Sequence, residues 1–196
     1  MPLLVNREQR RVELARAVWR VIRRDGIERA SVREVAREAG LSTGSLRHYF
    51  STQSELLVFA MGHVMEQVET RASAVQRQDD LWSTARLVLA ELLPLDDERR
   101  AENEVWLAFT ARAMVDPHLA ALRNEAYDRL RDACVRWISL LLPGADETSR
   151  QNESERLFAL IDGLAVHAAM RPASATAEVL SGVLNRHLDQ LAAQPA

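Results

Sequence analysis

The chain has 196 residues, of which 47% are hydrophobic and 27% charged, and its formal net charge is −3. This length and composition suit one large soluble domain or a small one joined to a larger. No run of about 18 apolar residues occurs, which excludes a membrane-spanning helix. The start, MPLLVNREQRR, lacks the apolar segment of a signal peptide, and a single cysteine, Cys134, excludes an internal disulfide. A cytoplasmic protein is expected.

The net charge conceals an asymmetry. Residues 1–50 carry 11 arginines against 6 acidic residues, whereas residues 51–196 carry 14 against 22. A basic head on an acidic body is the pattern of a protein whose head alone meets phosphate. All 25 basic residues are arginine; this reads as codon usage and carries no functional meaning.

In chain order, Arg7 to Arg24 forms a first helix, with Val12, Ala15, Trp19 and Ile22 at helical spacing and Leu14 and Val18 widening the stripe. Arg7, Arg10 and Arg11 near its start are placed to meet phosphate oxygens or to stay solvated. Asp25-Gly26 ends it. Ser31 then caps a helix over Val32 to Ala39, Gly40 leaves that helix through a left-handed conformation, and Ser42 caps a further helix to about Tyr49.

The spacing within residues 31–50 is the most informative feature. Small Ala36 permits a close helix crossing, Gly40 makes the turn, and Val35, Ala39, Leu41, Leu46 and Tyr49 form the apolar set that docks both helices on the first. A helix-turn-helix needs these residue types at these places. Its outward row is Thr43, Gly44, Ser45, Arg47 and His48, a surface able to enter a major groove.

Thr52 caps a fourth helix with Glu55 as its capping-box partner, and no flexible linker separates this helix from the reader. Movement in the body would therefore reach the reader as a rotation. Asp79 or Asp80 starts a fifth helix that closes at Pro94, and Asp96-Asp97-Glu98 favours the start of a sixth. Asp116-Pro117 opens a seventh that ends at Pro143-Gly144. Residues 145–153 read as a loop, with Asn152 and Glu155 offering a capping box for an eighth helix from about Ser154 to Met170. Gly163 in its middle suggests close backbone approach, Pro172 breaks the chain, and a ninth helix follows. The predicted fold is all-α, about nine helices, with a helix-turn-helix unit over residues 1–53 and a ligand-binding and dimerisation body over 54–196. The last two helices hold more apolar surface than one body buries, so a homodimer through Leu157, Leu160, Ile161, Leu164, Leu180, Leu184 and Leu188 is expected.

On Gly26, SVREVAREAGLSTGSLRHYF and the capped SELL that follows, the chain resembles the TetR family of transcriptional regulators. LPLDDERRAENEVWLAFTARAMVDPHLAALRNEAY and LIDGLAVHA resemble, less specifically, the branch that includes choline-responsive repressors. The resemblance implies a repressor that binds a pseudo-palindromic DNA operator as a dimer and is released by a small effector. It places DNA contacts on Arg33, Ser42, Thr43, Gly44, Ser45, Arg47, His48, Tyr49 and Gln53. Arg47 stands where the family usually has tyrosine, and Gln53 where it usually has lysine, so one charged phosphate contact is missing.

An effector pocket is expected among Trp82, Trp106, Phe109, Arg112, Met114, Trp137 and His167, where tryptophans would suit a quaternary ammonium unless they are core. For His63 and His167 the reading as core histidines is preferred. Arg112 needs an acidic partner, for example Asp162 or a glutamate, or a ligand. Two alternatives are a purely architectural DNA-binding dimer and a helical enzyme. The first leaves the large body without a purpose. The second lacks a Glu-x-x-His pair, a glycine-rich phosphate loop and a histidine near Cys134, and no metal or cofactor is expected.

Overall fold

The computed structural model describes residues 2–193, with side chains from Gln9 onward. Its helices, among the described residues, are α1 (Pro2–Asp25), α2 (Val32–Glu38), α3 (Thr43–Arg47), α4 (Gln53–Ala74), α5 (Leu81–Ala90), α6 (Asp97–Ala113), α7 (Pro117–Leu141), α8 (Glu147–Met170) and α9 (Ala177–Ala192), with no strand. A single 3-10 turn, Ile27–Arg29, joins α1 to α2. The chain divides into two compact units, one made of residues 1–67 and 104–124 and the other of residues 68–103 and 125–196.

In the first unit the apolar stripe of α1 is the floor. Leu14, Val18, Trp19, Val21 and Ile22 are buried together with Val32, Val35, Ala36 and Leu46 of the reader and Leu56, Leu57, Ala60 and Met61 of α4. Val12 is half-buried. Trp19 keeps its indole N–H satisfied at the carbonyl of Ala60, 3.3 Å away, and stacks near the buried His63 at 5.6 Å. The early turns of α4 therefore serve the reader's core. Their packing, with Val105, Phe109 and Ala113 of α6, carries that core past residue 53, the boundary expected from sequence.

The second unit is closed by Ala85, Leu89 and Leu93, by Cys134, Ile138 and Leu141 of α7, and by the inward residues of α8 and α9. Arg86 ties α5 to α9 by donating to Asp189 Oδ1 at 2.7 Å and to the Asn185 carbonyl at 3.2 Å. Arg71 forks onto both oxygens of Glu102, which is 3% exposed, at 2.8 and 2.7 Å. A buried carboxylate needs such a bidentate partner to offset its lost hydration.

α8 begins at Glu147, about two turns before the position predicted from sequence. The cap is Asp146, not Asn152: its carboxylate accepts the Ser149 N–H at 3.0 Å and the Ser149 hydroxyl at 2.6 Å. These first turns are polar because water surrounds them, so they carry no apolar periodicity to read. Asp80 caps α5 in the same way through Ser83.

The hydroxyls and N–H groups of Ser83 and Ser149 hold the carboxyls of Asp80 and Asp146 below the usual aspartate range. A depressed folded-state pKa contributes stability that is complete above the unfolded value, about 3.9, and is lost as pH falls through the lower folded value. Thermal unfolding should thus show a midpoint that drops below about pH 4. The D80N/D146N variant keeps its caps and should show a shallower acid drop.

Candidate nucleic-acid interface

The reader is built from two caps and one turn. Ser31 accepts the Glu34 N–H at 3.3 Å to start α2, and Ser42 accepts the Ser45 N–H at 3.0 Å to start α3. Gly40 between them has φ +67°, a left-handed value that a side chain would strain. Leu46 is the only buried residue of five-residue α3, and its carbonyl accepts the N–H groups of Tyr49 and Phe50. The last docking position belongs to Phe50, 9% exposed, while Tyr49 is 62% exposed. Phe50 instead packs against Phe59 at 4.8 Å, freeing the Tyr49 hydroxyl for solvent or phosphate.

Outside this core lies the presented face. Arg33, Ser42, Gly44, Ser45, Arg47, His48 and Tyr49 are exposed and Thr43 is half-buried. The Ser42 and Ser45 hydroxyls lie 2.9 Å apart, so they act as a joined pair. Several other arginines of the head are engaged. Arg20 and Arg24 donate to Glu38, Arg23 to Glu104 and Arg37 to Glu34, while Arg11 lies 5.3 Å from the Phe59 ring. Arg33 and Arg47 have no acidic partner among the described residues. The Arg7 side chain falls outside them.

Gln53 does not belong to the presented face. Its amide donates to the carbonyls of Ile27 at 3.1 Å and Glu28 at 3.3 Å, and the residue is half-buried. The sequence gives an amide with a free donor; only the neighbouring turn shows where its hydrogens go.

The expected effector residues divide between the two units. Trp106, Phe109, Arg112 and Met114 fall in the first unit, and Trp82, Trp137 and His167 in the second. Phe109 is core, Trp82 and Trp137 pack half-buried on the second core, Met114 is 75% exposed, and His167 is exposed and not a core histidine. Arg112 pairs with Glu28 at 3.1 Å and faces Asp116 at 3.7 Å, so of the acidic partners expected for it a glutamate, and not Asp162, is the one in place. Asp162 instead accepts the Tyr127 hydroxyl, and burial pushes its carboxyl up from the usual range. Tyr127 meets Phe158 edge to face at 5.9 Å. Asp162 and Tyr127 thus join α8 to α7, a pairing that α8 periodicity alone could not give.

The dimer residues also need correction. Leu157, Ile161, Leu164, Leu180, Leu184 and Leu188 are all at most 6% exposed within the second unit's own core, and only Leu160 is half-buried. The faces left open are Ala159, Gly163, Val166 and Met170 on α8, and Val179, Gly182 and Val183 on α9. A groove of about 610 Å³ between these helices is lined by Arg156, Ala159, Leu160, Val179, Gly182 and Val183, among others. A Cβ added at Gly163 or Gly182 would meet nothing within 4 Å, so the protomer itself does not require glycine there.

Burial raises the Cys134 thiol to about 12, which keeps it neutral and inert in the core. No helix among the described residues is long and apolar enough to cross a membrane. A helix-turn-helix presenting two unpaired arginines defines a DNA-binding regulator. The family described as bacterial regulatory proteins, tetR family, matches residues 14–58, and the C-terminal part of BetI-type transcriptional repressors matches residues 83–193. Over 97% of its length the chain is 40% identical to the HTH-type transcriptional regulator PksA of Bacillus subtilis, covering 94% of that protein. It is 30% identical to the HTH-type transcriptional regulator BetI of Paraburkholderia phytofirmans over 96% of both chains. A transcriptional regulator from Rhodococcus sp. Rha1 superposes with a TM-score of 0.81 at 32% identity, over 94% of this chain and 99% of that one. A regulator from Saccharomonospora viridis solved in complex with choline shares the fold at a TM-score of 0.80 and 22% identity, over 93% and 96%. The chain belongs to the TetR family of transcriptional regulators and is not an enzyme.

Proposed function

We propose that the chain is an effector-responsive repressor that binds a pseudo-palindromic operator as a homodimer, α3 entering the major groove. The observation that carries this reading is the exposed, unpaired Arg47 on a helix held by Leu46 beneath it. Arginine can fork onto guanine O6 and N7 or grip a phosphate, and Arg33 can do the same from the start of α2. Thr43, Gly44 and Ser45 allow close approach, with His48 and Tyr49 toward the backbone; Ser42 takes part as the cap that shapes this surface.

The partner copy is seated on the open stripes of α8 and α9 described above. Their small residues at helical spacing suit two protomers packing as a four-helix bundle. The effector is a small organic cation recognised around Asp162, Tyr127 and Phe158, since a desolvated carboxylate beside aromatic faces gains most from a soft positive charge. The choline found in the Saccharomonospora viridis neighbour is of that class.

The experiment begins with a duplex selected from a random-sequence pool by the unaltered protein. Arg47→Ala should weaken binding to it by about 1–3 kcal/mol with the fold intact. Unchanged affinity in an anisotropy titration would remove Arg47 from the interface. Calorimetry with choline-like compounds tests the effector: heat of binding coupled to release of the duplex supports it, and no heat argues against it.

A further inference from the structure

The reader, residues 30–52, hangs from two points of the chain: the Ile27–Arg29 turn where it begins and the first turn of α4 where it ends. Gln53 joins these points directly, its Nε2 donating to the Ile27 and Glu28 carbonyls at 3.1 and 3.3 Å. Both points are also held from the corner between α6 and α7. Arg112 Nη1 donates to Glu28 Oε1 at 3.1 Å, and Ser54 Oγ donates to Asp116 Oδ2 at 3.3 Å. Arg112 Nε lies 3.7 Å from the same Asp116 oxygen, closing the ring. Asp116 is the shielded member, its side chain 13% exposed, and its other oxygen accepts the His118 N–H at 3.0 Å to start α7.

The Glu28–Arg112 pair is exposed and weak by itself. Its value is geometric: the fork of Arg112 spans two carboxylates that belong to different elements, a task a point charge does less well. We propose that Gln53, Arg112 and Asp116 are positioning residues for DNA recognition, holding both ends of the reader in register with the α6–α7 corner. A shift of that corner then changes how α3 is presented without touching any side chain that faces DNA. This rests on the DNA-reading role of residues 31–50, and it removes Gln53 from the list of phosphate contacts.

The test uses full-length protein and the selected duplex, with variants Q53M, R112Q, E28Q, E28Q/R112Q and R47A followed by anisotropy at several salt concentrations and by thermal unfolding. Q53M and R112Q should each lose about 3- to 30-fold in affinity, the range by which such coupling contacts act. The salt dependence and the unfolding midpoint should match the unaltered protein, because no phosphate contact and little packing is removed. E28Q/R112Q should bind no more weakly than R112Q, since both changes open one ring. Should R112Q fail to fold, E28Q opens the same pair from its exposed end. Unchanged affinity in Q53M and R112Q while R47A weakens binding would overturn the proposal and leave the reader assignment standing. A reduced salt slope in Q53M would overturn it by making Gln53's loss one of phosphate contact, and a fall in midpoint matching the loss of affinity would reduce the ring to a folding role. If R47A is also silent, the reader's DNA face is at fault.

Discussion

Leu46→Ala is expected to weaken sequence-specific DNA binding by about 30-fold or more although the side chain never reaches the surface. α3 has five residues, too few to be helical on its own, so its place depends on what it buries. Leu46 is fully buried and is the only side chain of α3 that is. Truncating a buried leucine costs about 2–5 kcal/mol, depending on how far the site collapses. Val18, Val35 and Phe50, from three other segments, are buried in the same core cluster as Leu46, which limits such a collapse. If that cost falls on the docking of α3 alone, affinity drops by about 30-fold or more, at tenfold per 1.4 kcal/mol. Thermal unfolding and an anisotropy titration on the selected duplex separate this from Arg47→Ala, which weakens binding while leaving the midpoint in place. Affinity within threefold of the unaltered protein would show that Leu46 does not hold the reader.

The second large effect is expected from Gly182→Glu. A Cβ at this position meets nothing within 4 Å in the protomer, and the residue is exposed, so the protomer has no steric reason to unfold. Glycine inside a helix is a cost of about 1 kcal/mol against alanine, so its place on α9 asks for a reason outside the protomer. A second copy packed on the stripe Val179, Gly182 and Val183 supplies one: the backbones approach closely where both sides are small. Glutamate there adds bulk and buries a charge without a partner, which an interface does not tolerate. Light scattering should therefore report a monomer. Affinity for a two-half-site operator should fall by about 100-fold or more as the avidity of paired readers is lost. A stable dimer of G182E at micromolar concentration would move the interface to another face.

Much of the reader was legible in the sequence because its constraints are local. A cap hydroxyl must precede the N–H it accepts by three residues, and a left-handed turn must carry glycine, so Ser31, Gly40 and Ser42 reveal α2 and α3 without knowledge of any neighbour. The same locality made the Asp116-Pro117 start readable and narrowed the cap of α5 to Asp79 or Asp80, of which the structure selects Asp80. Where local chemistry was ambiguous the reading slipped. Tyr49 and Phe50 are adjacent and both aromatic, and only the position of Phe59 selects Phe50 for the core.

By itself, then, the sequence determined the helical class, the helix-turn-helix and the charge division between head and body, since each follows from spacing, caps and composition. The tertiary structure alone decided the phase of α8, the cover of α9 and the partners of polar side chains. α8 is apolar around much of its circumference, so its periodicity cannot say which leucines face inward, whereas α9 shows a clear leucine stripe whose cover, its own core or a second chain, spacing cannot name. Packing against α5 and α7 takes Leu157, Ile161, Leu164, Leu180, Leu184 and Leu188 into the core and leaves the glycine and valine faces exposed. Gln53 and Arg112 show the same limit for hydrogen bonds. Their donors are visible in the sequence, but Glu28 lies 25 and 84 residues away along the chain, and only the fold brings it within reach.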